Sequence, residues 1–345
     1  MVLQYGLAGP LSGADGNYLL VAGGANFESG MPWRGGSKTY HDEIYLLKDH
    51  ADGSLSWEVS KTKLSFPIAY SACVTTGNGF LSIGGENDNG PVNNVTHYSF
   101  SDGNIRIVPL PDLPEVVSSP GATLLGDQIF VAGGLNKNGA TNAFYSLSLS
   151  HPESGWEVLP ALPVKLSHAV VASQNSGNGR AIFVIGGRNK SGELTSFLSS
   201  VFRYSATEGR WTKVSDIVID GQVAGLSAGT GLAEGNDCIL LFGGDKGVLF
   251  NQTERLNLQI EAATNAARKD SLLQIKEAFL AHHPGFSNQV LSYNITTGKW
   301  SEIGKLPFEP PVTTVAFTWK GKIVIPSGEI RPGVRSERVI MTDAR

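Results

Sequence analysis

Cysteine is nearly missing from this 345-residue chain: there are two, Cys73 and Cys238. Two thiols build neither a disulfide framework nor a multi-cysteine metal site. No apolar run approaches the roughly 20 residues that a bilayer span needs. The amino terminus shows no basic patch followed by an apolar stretch, so no secretory signal is visible. Basic charge is not in excess either: 27 Lys and Arg against 31 Asp and Glu leave a formal net charge of -4. Without a basic footprint, nucleic acid is not an expected partner. What the chain has in quantity is glycine, 42 residues, as expected where many tight turns require positive φ.

The glycines are ordered. Pairs follow apolar runs at Gly23-Gly24, Gly84-Gly85, Gly133-Gly134, Gly186-Gly187 and Gly243-Gly244, with Ser327-Gly328 as a worn sixth. The spacing stays near the roughly 50-residue period of one repeat class, with one longer interval before Ser327. The stretch 182–211 shows the unit most clearly: an apolar strand, the Gly pair, a polar loop, a strand ending at Tyr204, a turn at Glu208-Gly209, and a strand opened by Trp211. Trp57, Trp156 and Trp300 recur in the role of Trp211, with Ile105 or Ile107 in the second unit.

Short strands divided by Gly, Asn, Asp and Pro predict an antiparallel meander of four strands, a to d. In the fourth unit these are 168–173, 181–185, 201–204 and a strand from Trp211. A lone sheet of this kind leaves both faces apolar, and stacking the sheets radially buries them. The chain therefore reads as all-β, a single six-bladed β-propeller over 1–345, and it resembles the kelch-repeat family over nearly its whole length. In such a ring Cys73 and Cys238 sit nearly opposite, beyond the roughly 7 Å Cα limit for a bridge. Both are expected to be small buried apolar residues. The first strand a is expected at 6–11. The sixth blade shows only strands a to c (313–317, 322–325, 338–342). Its fourth strand is left open between the short 1–5 segment, a preceding segment, and an unpaired edge.

Between Gly244 and Val290 an insertion, 245–289, breaks the rhythm within blade 5. Asp270 or Ser271 is placed to cap a helix carrying Leu272, Ile275 and Phe279 on one face, and an earlier helix is expected around 254–267. Long insertions in compact folds are usually functional, so this one is expected to be a lid over the propeller mouth.

In an antiparallel blade the b–c and d–a connections emerge on one face. The a–b and c–d turns are short and bland, whereas the b–c loops are rich, so function belongs to the b–c face. The first b–c loop offers Asn26, Glu28, Trp33, Arg34, Lys38, Tyr40, His41 and Asp42. The sixth offers Glu329 and, past Pro332-Gly333, Arg335. Glu86 and Arg188 hold the position after the Gly pair in blades 2 and 4, while Tyr70 and His168 come from d–a loops. Each has a bland account as well: Glu329 and Arg335 as an ion pair holding the loop, His41 as a loop anchor, Trp33 as a plug between blades.

GGANF…PWRGGSKTYHDEIYLL and SGEIRPGVR resemble the sialic acid mutarotases (N-acetylneuraminate epimerases), in a cyclically permuted blade order with the GGANF blade first. The resemblance implies an isomerase of carbohydrate metabolism acting on a small sugar acid, extracytoplasmic or periplasmic, with no cofactor and no metal. It carries the functional acid and the later Arg of that loop onto Glu329 and Arg335. Asn26, Lys38, His41, Tyr70, Glu86 and Arg188 are expected around the substrate. Glu329 is then a base or proton shuttle at the anomeric hydroxyl, and Arg335 a two-pronged clamp for the substrate carboxylate. A non-enzymatic kelch interaction or carbohydrate-binding module stays open as the alternative. A sialidase would need a three-Arg clamp and a nucleophile that cannot be assembled here.

Overall fold

A computed structural model describes residues 3–101, 103–176 and 179–343. The chain folds as a six-bladed β-propeller. Blades 1 to 5 are four-stranded antiparallel sheets in the order a-b-c-d: Leu11–Asp15, Tyr18–Ala22, Ile44–Asp49, Leu55–Val59; Ala72–Thr76, Gly79–Ile83, Val95–Ser101, Asn104–Leu110; Gly121–Leu125, Gln128–Ala132, Phe144–Ser148, Glu157–Val158; Val170–Ser176, Gly179–Ile185, Ser200–Ser205, Arg210–Asp216; Thr230–Glu234, Cys238–Phe242, Gln289–Asn294, Lys299–Lys305. Blade 6 has three described strands, Phe317–Trp319, Lys322–Pro326 and Val339–Asp343. Strand a of blade 1 thus begins at Leu11 rather than at residue 6. Residues 6–10 instead form the blade's entry segment, in which Ala8 bridges Ala25 and Gly9 joins the closure described next.

A hoop of six backbone hydrogen bonds closes the wheel. Gly9 N–H donates to Thr313 O, Thr313 to Ala228, Ala228 to His168, His168 to Ser119, Ser119 to Tyr70 and Tyr70 back to Gly9, at 2.7 to 3.2 Å. Each of the six residues precedes its strand a and holds φ between 49° and 60°. That conformation is uncommon for non-glycine residues and persists only where its surroundings enforce it.

The Gly pairs make the blade contacts possible. The second glycine donates its N–H to the neighbouring blade: Gly24 to Ile68 O, Gly85 to Val117 O, Gly134 to Leu166 O and Gly187 to Leu226 O. A Cβ on the first glycine would collide with the same carbonyl, at 2.2 Å for Gly186 against Leu226 O. In the sixth pair the first position is Ser327, fully buried at φ 53°. Its hydroxyl compensates: Oγ accepts from Leu7 N–H at 2.8 Å and donates to carbonyls of the same seam. Ser327→Ala orphans the Leu7 N–H, so a loss of about 1–3 kcal/mol in chemical denaturation is expected. An unchanged midpoint would show that the serine does not hold the seam.

Large apolar residues of strand d fill the wedges between blades. Trp211 packs with the cores of blades 3 and 4, Trp300 with 4 and 5, Trp156 with 2 and 3, Trp57 with 6 and 1. In blade 2 Ile105 and Ile107 pack there, and Ile107 pairs with Tyr98 as Trp211 pairs with Tyr204. The two cysteines are only partly buried and free, and Cys73 Sγ accepts from Ser12 N–H at 3.4 Å.

The insertion forms two helices, α1 (Val248–Ala262) and α2 (Ala266–Ala281). The cap of α2 is Asn265, whose side chain accepts from Arg268 N–H at 3.1 Å, so Asp270 and Ser271 lie inside the helix. Leu272 and Leu280 are its buried contacts, and Ile275 faces solvent. The helix therefore begins a turn earlier than its apolar residues suggested, because Asn265 can cap and Ala266 is a good helix former. Among the described residues no helix is long and apolar enough to cross a membrane.

Candidate functional site

Behind each Gly pair the chain makes a short antiparallel contact with its own blade's entry segment. The paired residues are Ala8–Ala25, Ala69–Glu86, Ser118–Leu135, Ser167–Arg188, Ser227–Asp245 and Val312–Glu329. These bridges lie one residue before each member of the hoop. They set six equivalent slots around the mouth: Ala25, Glu86, Leu135, Arg188, Asp245 and Glu329. Glu86, Arg188 and Glu329 were legible from this rule, and Asp245 follows Gly243-Gly244 in the same way. In blade 6 the slot opens a hairpin, Glu329–Arg331 with Val334–Arg335, that sets Glu329 opposite Arg335.

Glu329 Oε1 accepts from Gly333 N–H at 2.9 Å and lies 3.7 Å from Arg335 Nη2. The Arg335 side chain is 6% exposed, and its guanidinium rests on the Phe27 ring at 4.5 Å. Buried as they are, its Nε and Nη1 have no hydrogen-bond partner among the described residues. Buried donors without acceptors are costly, and these two lie on different two-donor edges of the guanidinium, which share Nη2.

A second cluster sits beside it. Glu86 Oε1 accepts from Tyr40 Oη at 2.7 Å and from Lys38 Nζ at 3.0 Å. The ammonium also lies 4.9 Å from the centre of the Tyr70 ring. Burial alone would raise the Glu86 pKa, but the bonds from Tyr40 and Lys38 reverse this and hold it below the ordinary value. Burial likewise opposes charge on Lys38, yet Tyr70 and Glu86 outweigh it and push its pKa up. The Tyr70 pKa is raised, first by burial; its hydroxyl lies within electrostatic reach of Lys38, Arg335, Glu329 and Glu86. Tyr70 is therefore the residue common to both clusters.

Across the mouth, Arg188 Nη2 donates to His168 Nε2 at 3.1 Å, and its guanidinium lies 5.1 Å from the Phe250 ring of α1. Burial lowers the Arg188 pKa, against attraction from Asp245, Glu329, Glu254 and Tyr70. Burial, then the Arg188 charge, holds His168 well below its usual pKa, so the imidazole is neutral and accepts. Asn26 and His41 instead find each other, Oδ1 to Nε2 at 3.0 Å. His41 stacks on Tyr5 and faces Glu43 at 3.5 Å, the geometry of a loop anchor.

The depressed His168 pKa has a consequence for stability. The unfolded imidazole takes a proton near pH 6.5, which the folded one resists, so folding is disfavoured progressively as pH falls below about 6.5, by at most about 1.4 kcal/mol per pH unit for each proton. Asp245 acts oppositely: burial raises its pKa above 3.8, so its contribution is present at acid pH and fades as pH rises. His168→Gln retains an acceptor for Arg188. It is expected to flatten the decline in melting temperature between pH 6.5 and 5, leaving the part owed to His97 and His283, both also lowered by burial. A decline as steep as in the wild type would overturn this assignment.

The helices lie over this face. Glu254 of α1 accepts from Thr195 N–H at 2.6 Å and Lys190 Nζ at 3.0 Å in the blade 4 loop. Glu277 of α2 accepts from Arg34 Nε at 2.7 Å in the blade 1 loop. Trp33 packs across Gly333, where a Cβ would meet its ring at 3.1 Å. Below the hoop, strands a line a central channel of about 440 Å³ that shares only Tyr70 and His168 with the clusters above. The buried charged groups are concentrated above the hoop, while small and apolar residues of strands a make up most of the channel lining. Among the described residues no group of three His, Cys, Asp or Glu could hold a metal ion.

Fold and site together define a six-bladed propeller whose b–c face presents a paired carboxylate and guanidinium. The family model for N-acetylneuraminate epimerase matches residues 110–344, and the chain belongs to that family. Several relatives bear the same name, among them the following three. That of Haemophilus influenzae (strain PittEE) is 30% identical over 232 residues, 66% of this chain and 57% of the relative. That of Vibrio vulnificus (strain YJ016) is 25% identical over 256 residues, 71% and 60% respectively. That of Salmonella typhi is 36% identical over 115 residues, 30% and 28%. The chain thus spans no more than about three fifths of these relatives' length.

Proposed function

We propose that this protein is a mutarotase that interconverts the anomers of a keto-sugar acid, N-acetylneuraminate foremost. The observation that carries the reading is Arg335: buried, stacked on Phe27, with Nε and Nη1 unpaired beside Glu329. Either two-donor edge of its guanidinium, each of which includes Nη2, matches a carboxylate attached to the anomeric carbon, which brings the anomeric oxygens toward Glu329. Glu329 takes the proton of the anomeric hydroxyl and, as the bond from anomeric carbon to ring oxygen breaks, passes it to the ring oxygen, so that the open-chain ketone forms. Rotation about the bond to the carbonyl carbon and the reverse proton transfers close the ring on the other face. Lys38, Tyr40, Tyr70, Glu86 and Arg188 supply the polar wall that orients the sugar hydroxyls, and α1 and α2 act as the lid that excludes water.

Family membership supports the substrate class, and the coarser statement, a sugar isomerase, is the part it supports most directly. A cyclic permutation fits the match, which leaves out residues 1–109, roughly the first two blades. An extracytoplasmic location follows the same resemblance. The deciding experiment is NMR of anomer exchange in freshly dissolved N-acetylneuraminate. Acceleration by catalytic amounts of protein supports the proposal. Relaxation equal to that of buffer, in a sample that still binds the sugar, would make the protein a carbohydrate-binding module instead.

A further inference from the structure

The slot hairpins differ in what they set against the slot residue. In blade 6 the hairpin opposes Glu329 with Arg335. In blade 4 the equivalent hairpin, Arg188–Lys190 with Thr195–Phe197, opposes Arg188 with Phe197. Phe197 meets the Phe250 ring edge-on, with centres 5.5 Å apart, and the Arg188 guanidinium lies 5.1 Å from Phe250. Glycine makes this fit possible: a Cβ on Gly247, which leads into α1, would strike the Phe197 ring at 2.3 Å. The start of α1 thus delivers Phe250 into a wall of one guanidinium and two half-buried aromatic rings.

Arg188 is held from behind by a closed circuit of hydrogen bonds. Its Nη2 donates to His168 Nε2 at 3.1 Å, which requires the imidazole proton to sit on Nδ1. Nδ1 then donates to Ser167 Oγ at 2.9 Å, and that hydroxyl donates to the Arg188 carbonyl oxygen at 3.4 Å. The tautomer of the imidazole and the pose of the guanidinium are therefore fixed together. In front, the carboxylates that attract Arg188 are engaged elsewhere: Glu254 with Lys190 at 3.0 Å, Glu329 with Arg335 at 3.7 Å, and Asp245 with Gly247 N–H at 2.7 Å. A guanidinium braced behind, with no ion pair among the described residues, is prepared for an acceptor from outside. The three carboxylates still offset its charge, which disfavours a second anion here and favours a neutral oxygen. The adjoining rings supply apolar contact beside that oxygen.

We infer that Arg188 and Phe250 bind the acylamido group of the substrate, the guanidinium taking the acyl carbonyl oxygen and the ring the acyl carbon. His168 and Ser167 are positioning residues for Arg188. The inference rests on the mutarotase reading of the site and narrows the part of Arg188 from sugar hydroxyls in general to one substituent. An N-acylated sugar acid is then told from one with a hydroxyl at the same carbon by a group remote from the bond that breaks.

The test compares N-acetylneuraminate with the analogue that carries a hydroxyl in place of the acylamido group. Both keep the carboxylate, and both are followed on the full chain by titration calorimetry and by NMR of anomer exchange. The wild type should bind the acylated sugar about 10–100-fold more tightly, the range of one hydrogen bond from a charged donor. Arg188→Met should lose this preference while holding the hydroxyl analogue to within about threefold, since the lost bond is made to the acyl group alone. Phe250→Ala should cost about 3–10-fold with the acylated sugar and leave the analogue unchanged. His168→Leu should raise KM for the acylated sugar with kcat unchanged, and His168→Gln, which keeps an acceptor, should restore part of the loss. Equal wild-type affinity for the two sugars overturns the inference, as does a preference that survives Arg188→Met. An equal loss for both sugars in Arg188→Met also overturns it and would make Arg188 a carboxylate clamp. Should Arg188→Met fail to fold, the same comparison in Phe250→Ala decides: a selective loss supports the inference and an equal loss or none defeats it. If neither sugar's exchange is accelerated, the mutarotase reading falls, while the calorimetric preference and its loss in the variants still decide this one. A protein that binds neither sugar overturns it.

Discussion

Glu329→Gln should slow enzyme-accelerated anomer exchange by about 10²–10⁴-fold, the range spanned by a positioned general acid or base. The amide keeps the size of the side chain, and its oxygen can still accept from Gly333 N–H, the bond that holds the hairpin turn. The hairpin itself is set by the backbone pairing of Glu329 with Val312 across the blade entry, which the substitution does not touch. What the amide cannot do is take a proton from the anomeric hydroxyl. The expected signature is therefore a collapse of kcat with KM within a few-fold and an unchanged melting temperature. A variant retaining more than about a third of wild-type exchange, well below the 10²-fold floor of this range, would remove Glu329 from the proton transfer.

Arg335→Lys should raise KM by about 10–100-fold, with a smaller effect on kcat, because charge survives while the two-pronged geometry is lost. Lysine offers a point charge on a flexible stem; the guanidinium presents planar two-donor edges, Nε with Nη2 and Nη1 with Nη2, and Phe27 fixes that plane. The ion pair with Glu329, at 3.7 Å, is too long to be the main use of so buried a group. Arg335→Ala should lose activity altogether, and its melting temperature reports whether the emptied space alone disturbs the loop. If Arg335→Lys binds and turns over N-acetylneuraminate as the wild type does, the residue is a structural partner of Glu329 and the clamp lies elsewhere, with Arg188 next in line.

Much of the frame was legible because backbone geometry leaves few residue choices. Where two blades approach so closely that a Cβ would strike a carbonyl, glycine is required, and the pairs announce themselves. The same logic gave the slots at Glu86, Arg188 and Glu329. Asp245 obeys the rule but stands at the mouth of the helical insertion, where helical periodicity draws attention from the repeat. The hoop was not legible at all. Tyr70, Ser119, His168, Ala228 and Thr313 hold positive φ without the residue type that usually signals it, since tertiary hydrogen bonds enforce the conformation. Nor could spacing reveal that Tyr40 rather than His41 joins Glu86, or that Phe27 lies under Arg335. Those contacts depend on how one hairpin tilts against the next blade. Trp33, which could have stacked on a sugar or plugged a gap, packs over the Gly333 turn.

Two of the six slots, Ala25 and Leu135, carry no polar group, although their main chains are anchored as firmly as those of Glu86 and Glu329. Chemistry and scaffold are thus held on separate accounts in this wheel. Leu135 is partly exposed, so a protein engineer could install a hydroxyl, an amide or a charge there and test whether the proposed sugar preference shifts, whereas Ala25 is fully buried and offers no such room.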